Sequence, residues 1–181
     1  MAQTQRTLSD IFALLANNTT RQIGATDLRD AIETLRPREG ECYVTSSAAT
    51  TVSVAGTYYK AAGTTTLVAG AYEFDDDSGT SNRLKYTGSV PVHADIVATI
   101  SMTAAASNQV IGFKVAKGGM VMDASTVRRK VGTGSDLGAL VCRASVSLAT
   151  GDYVELWVTN ETTTTTVTVD NMNFHVTAFT E

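Results

Sequence analysis

The sequence predicts a mainly β protein, a β-sandwich and most simply a jelly roll, preceded by a short N-terminal two-helix segment. Three observations carry this. Apolar residues recur at helical spacing only in residues 1–37. Beyond them, apolar and polar residues alternate with the period of two that marks half-buried strands. Those alternating runs are short and punctuated by Gly, Asn and Asp, the pattern of a sandwich or barrel. The expected division is residues 1–40 as a helical anchor segment and residues 41–181 as the β-sandwich domain.

Thr7 stands where an N-cap belongs and Asp10 lies three residues on, a weak capping box. Leu8, Ile11, Phe12 and Leu15 then form one apolar stripe. A second helix starts near Thr26 and Asp27, with Asp27 and Asp30 near the positive end of its dipole. Its stripe is Leu28, Ala31, Ile32 and Leu35, and Pro37 ends it. Helices this short are unstable alone in water. Both stripes therefore bury against something: each other, the β-domain or another protein.

The β-domain opens at Cys42-Tyr43-Val44. Val52-Ser53-Val54, Tyr58-Tyr59, Thr66-Leu67-Val68 and Tyr72-Glu73-Phe74 follow as short strands, and Asp75-Asp76-Asp77-Ser78-Gly79 reads as a turn. The strongest alternation runs from Val90 to Ala104, long enough to expect a bend or bulge. Ile111, Phe113 and Val115 alternate next, and Gly118-Gly119 closes a hairpin. Strands are also expected over 125–131, Leu140–Leu148 and Met172–Ala178. The segment Tyr153–Thr159 is apolar on both faces, with Val154, Leu156 and Val158 on one and Tyr153 and Trp157 flanking Glu155 on the other. One face of a sandwich strand meets the core, so the Tyr153/Glu155/Trp157 face needs a second covering. A contact between copies in a trimer is the expected one.

Composition narrows the function. The net charge is −4 and the pI about 5.1, which argues against nucleic acid as a partner. No apolar run reaches the ~18 residues of a membrane span. Neither a basic-then-apolar leader nor a dense cysteine framework is visible; Cys42 and Cys142 read as free buried thiols. His93 and His175, on strands without companion residues, do not form a metal or catalytic pattern. Asp75–Asp77 lack the spacing of a calcium loop. Gly132–Asp136 lacks the lysine and following helix of a phosphate loop. Arg128-Arg129-Lys130 reads either as charge protecting a strand edge or as a contact for an acidic partner. No nucleophile, base or carboxylate pair is spaced for catalysis, so no enzyme activity and no cofactor is expected.

Thr7-Leu-Ser-Asp-Ile-Phe-Ala-Leu-Leu-Ala-Asn-Asn-Thr19 and Ala25-Thr-Asp-Leu-Arg-Asp-Ala31 resemble the N-terminal helices of a family of tailed-bacteriophage structural proteins. Ile111–Gly119, Val127–Leu140 and Ser147–Val158 resemble the jelly-roll domain of the same proteins. The Gly-Asp-Tyr-Val-Glu-Leu segment beginning at Gly151 is also similar to the tumour-necrosis-factor-like and C1q-like group, whose jelly rolls assemble as trimers. The resemblance implies a virion protein, assembled in the host cytoplasm. It would be a homotrimeric capsid decoration (cement) protein that binds the major capsid protein or another virion protein and stabilises the shell. The absence of a fibrous shaft between helices and jelly roll favours the shell. The alternative is a receptor- or glycan-binding tip of a head fibre, tail fibre or spike, with Tyr58, Tyr59, Tyr72 and Tyr86 as candidate exposed aromatics. The residues expected to dock a partner are Leu8, Ile11, Phe12, Leu15, Leu28, Ile32 and Leu35; those expected at the trimer contact are Tyr153, Glu155 and Trp157.

Overall fold

The computed structural model describes residues 7–16, 23–77, 79, 81–132 and 136–181; the side chains of Leu8, Leu14, Leu15 and Ala16 lie outside that description. Two helices, α1 (Leu8–Ala16) and α2 (Ala25–Leu35), precede the strands. The capping box at Thr7 forms: the Asp10 amide donates to Thr7 Oγ1 at 3.1 Å and the Thr7 amide to Asp10 Oδ2 at 3.2 Å. Gly24 occupies the N-cap of α2, and its amide donates to Asp27 Oδ2 at 3.0 Å.

Two antiparallel sheets form the sandwich. The strands of the first are β1 (Arg38–Ser46), β2 (Ala49–Thr50), β4 (Thr64–Leu67), β7 (Val92–Ala104), β11 (Gly138–Leu148) and β13 (Val167–Thr180). Their spatial order is β11-β7-β13-β1-β4, with β2 beside β13. The second sheet holds β3 (Tyr59–Lys60), β5 (Phe74–Asp75), β6 (Arg83–Tyr86), β8 (Gln109–Lys117), β9 (Met120–Val121), β10 (Val127–Val131) and β12 (Tyr153–Asn160). Its order is β10-β8-β12-β6-β5, with β3 beside β12 and β9 beside β8. Strands adjacent in space are distant in sequence, as in a jelly roll.

Alternation decides what is inside. Val92, Ala94, Ile96, Ala98, Ile100 and Met102 of β7 face the core, as do Met172, Phe174, Val176 and Ala178 of β13. From the second sheet, Ile111, Phe113 and Val115 meet Val154, Leu156 and Val158. Phe74 and Tyr86 close one end, ring centroids 5.3 Å apart and tilted by 50°. The bulge expected in the long strand falls on its partner: the register shifts between Val169 and Asn171 of β13, opposite the end of β7.

Four expectations need correction. The first strand starts at Arg38 rather than at Cys42, because Arg38 and Gly40 point inward within β1. Gly40 is required there, since a Cβ would lie 2.5 Å from the Phe74 Cβ. Val52-Ser53-Val54 is a bend, with Val52 buried and Val54 exposed. Tyr72 makes only an isolated bridge to Glu39. And β6 was not expected at all: Arg83 and Lys85 disguise the alternation of buried Leu84 and Tyr86.

Candidate functional site

The N-terminal segment meets one end of the sandwich, where β1 begins and β13 ends. Pro37 alone separates the C-cap of α2 from the first residue of β1, so no spacer intervenes. Periodicity placed a stripe at Leu28, Ile32 and Leu35, and the structure turns that stripe outward: the three are 58%, 61% and 63% exposed. Phe12 is 65% exposed, while Ile11 is buried. Leu8 and Leu15, the other residues expected to dock, fall outside the described side chains. The residues of α2 that are buried are polar, Asp30 and Thr34. Burying a Leu, Ile or Phe side chain is worth roughly 1.5–3 kcal/mol, so the ridge of Leu28, Ile32 and Leu35 on α2, and the exposed Phe12 on α1, hold unused burial energy.

The Tyr153/Glu155/Trp157 row lies on the outer face of the second sheet, and much of its covering comes from the same chain. The Glu155 side chain is 2% exposed and accepts from Lys60 Nζ at 2.8 Å, Arg83 Nη2 at 2.8 Å and Nε at 2.9 Å, and the Trp157 indole N–H at 3.1 Å. The Arg83 guanidinium stacks over the Tyr153 ring at 3.8 Å and also meets Asp77 at 2.6 Å. Burial alone would push the Glu155 carboxyl up; the Lys60 ammonium, the indole and the guanidinium together hold it below its ordinary value. Sequence spacing could not show Lys60 and Arg83, which arrive from other strands.

The outer face of the first sheet carries more exposed apolar surface. One cross-strand row runs Tyr43, Asn173, Thr99, Val141. Tyr43 is 44% and Val141 50% exposed, and a groove of about 570 Å³ passes between them. Phe179, 51% exposed, continues this face toward the helices.

The remaining candidates fall into structural roles. Tyr86 is buried; its hydroxyl donates to the Val90 carbonyl at 2.7 Å. Tyr59 receives the Val54 amide at 3.0 Å. Tyr72 donates to Glu33 and lies under the Arg36 guanidinium. Tyr58 sits under Lys114 Nζ at 4.4 Å. None of the four is an exposed aromatic. Asp77 neutralises Arg83 and Lys85. Arg128–Lys130 lie on β10, the edge of the second sheet, where Arg128 pairs with Glu161 at 2.5 Å. Thr163 and Thr165 join Gln109 and Asn160 in a hydrogen-bonded cluster at the turn after β12. Cys42 and Cys142 are free and buried; burial raises their thiols to about 12 and about 11. Among the described residues, no three His, Cys, Asp or Glu side chains gather as a metal ion would need, and no helix is long and apolar enough to cross a membrane.

No protein-family model and no curated protein matches the chain. Among solved structures, murine APRIL at pH 5.0 overlaps 76% of this chain and 98% of its own, with a TM-score of 0.47 and 7% identity. Eiger TNF from S. frugiperda overlaps 78% and 92%, with a TM-score of 0.49 and 9% identity. The chain is a mainly β, jelly-roll sandwich with a short helical segment before it, as its two sheets and their strand order establish.

Proposed function

We propose that the chain is a phage virion structural protein, a homotrimeric capsid decoration protein that binds the major capsid protein and stabilises the shell. The single observation that carries this reading is the outward apolar ridge of Leu28, Ile32 and Leu35 on α2, with Phe12 also exposed on α1, before a β-sandwich that completes its own core without them. Such a ridge suits attachment, and the sandwich suits display. The direct join through Pro37 supports a protein seated close to its support rather than one reaching from a shaft. Three copies engage three seams at once, so modest ridges add through avidity.

For the trimer, the outer face of the first sheet, with Tyr43, Val141 and Phe179, offers more unburied apolar surface than the Tyr153/Glu155/Trp157 row. The receptor- or glycan-binding alternative depended on four tyrosines that are engaged within the fold, and no other observation favours it.

The test is binding of the purified full chain to shells of the virus that encodes it, by co-sedimentation. Phe12→Asp abolishes binding and leaves the melting temperature of the free protein unchanged if these exposed side chains are the anchor. Full occupancy by that variant rules them out.

A further inference from the structure

An amphipathic helix left to the hydrophobic effect turns its apolar stripe toward the domain. Helix α2 does the reverse, so something specific must hold it. Two carbonyls at its C-terminal end are taken by side chains of the β-domain. The Thr34 carbonyl accepts from Arg38 Nη1 at 2.7 Å and from Thr180 Oγ1 at 3.0 Å. The Arg36 carbonyl accepts from Arg38 Nη1 at 2.9 Å. The guanidinium thus sits at the negative end of the helix dipole. Its Nε donates to Glu73 Oε2 at 3.0 Å. On the other side, the Arg36 guanidinium stacks over the Tyr72 ring at 3.8 Å, and the Tyr72 hydroxyl donates to Glu33.

This is a costly way to fasten a helix. Arg38 is wholly buried and its Nη2 has no hydrogen-bond partner among the described residues. Glu73 holds its carboxylate in place from a left-handed backbone, φ +59°. A buried ion pair adds little net stability over apolar packing, but it fixes geometry. We propose that Arg38, with Glu73, Tyr72 and Thr180, is a clamp that locks α2 polar face inward and so presents Leu28, Ile32 and Leu35 as a preformed docking ridge. Arg38 is a positioning residue: it touches no partner and acts through the orientation of α2. The clamp's purpose rests on the docking reading, but its existence does not. A fixed ridge avoids the cost of ordering a loose helix on binding, a saving made in every copy of the trimer.

The test uses the full chain and two double variants. Arg38→Met with Glu73→Met removes both charges, so neither is left buried and unpaired. Tyr72→Phe with Thr180→Val removes only hydroxyls. Amide hydrogen exchange is read over 25–35 and over β7 and β13, alongside shell co-sedimentation. The clamp predicts about tenfold faster exchange in α2 with the core strands unchanged, as expected when a locally fastened element is released. It also predicts weaker shell binding, whereas Phe12→Asp loses binding with normal α2 exchange. Unchanged α2 exchange in both variants overturns the clamp. Faster α2 exchange with undiminished shell binding overturns its role in docking. If the Met variant loosens β7 and β13 as well, the hydroxyl variant decides. If the parent chain binds no shells, the docking reading fails while the exchange result still decides the clamp.

Discussion

Replacing Glu155 by Gln keeps the side-chain volume and removes the one charge that Lys60, Arg83 and the Trp157 indole share. Breaking a buried ion pair from one side typically costs 3–5 kcal/mol, because the partner charge is stranded. Here the stranded cations are partly wet, Lys60 at 30% and Arg83 at 19% exposure, and Arg83 keeps Asp77. The cost is therefore reduced to about 2–3 kcal/mol. For a chain of this size each kcal/mol moves the melting temperature by about 2–4 °C, so the expected drop is about 4–12 °C. Calorimetry at matched protein concentration measures it, since assembly makes melting concentration-dependent. The pH dependence sharpens the test. The folded pKa of Glu155 lies below its ordinary value of 4.5, so its contribution is complete above that pH and is lost as pH falls through the lower folded value. The gap between parent and variant is thus full at neutral pH and narrows in acid. A gap under about 1 °C at neutral pH would refute the view that this cluster holds β3, β6 and β12 together.

Burial holds the Cys42 and Cys142 thiols near 12 and 11. A thiol reagent at pH 8 is therefore expected to label neither in the folded protein and both after denaturation, and native labelling of either would contradict their burial. Phe174 lies fully buried in the centre of the first sheet, so Phe174→Ala is expected to cost about 3–5 kcal/mol by denaturant titration; a loss below about 1 kcal/mol would mean the two sheets are not packed as described. Sedimentation at micromolar concentration is expected to give a trimer, and Tyr43→Arg with Val141→Asp to give monomers; a stable parental monomer would end the trimer reading.

The sandwich was legible because period-two alternation survives wherever one strand face is wet, as in β7, β11 and β13. It failed where charge stood in for polar neutrality. Arg83 and Lys85 flank Leu84 and Tyr86 just after an acidic turn and mask the strand, although the i, i+2 pair of Leu84 and Tyr86 is a usable signal. The start of the first strand at Arg38 was hidden because an arginine fully buried in a strand is rare, and nothing local announces its partners Thr34 and Glu73. The ridge itself was readable as a helical stripe, but periodicity locates a stripe without saying which way the helix is turned. The second covering of β12 was foreseen as a need; its supply by Lys60 and Arg83 depends on contacts far apart in sequence.

The central claim is that this chain sits on a virus shell, and electron cryomicroscopy of particles carrying it tests that claim most directly. The decoration reading predicts threefold density on the shell, with the Phe12 and α2 end of each copy against capsid subunits and the turn after β12 pointing away. Density for this fold at the tail or at a fibre tip, or shell density seated with the helices facing solvent, would contradict it.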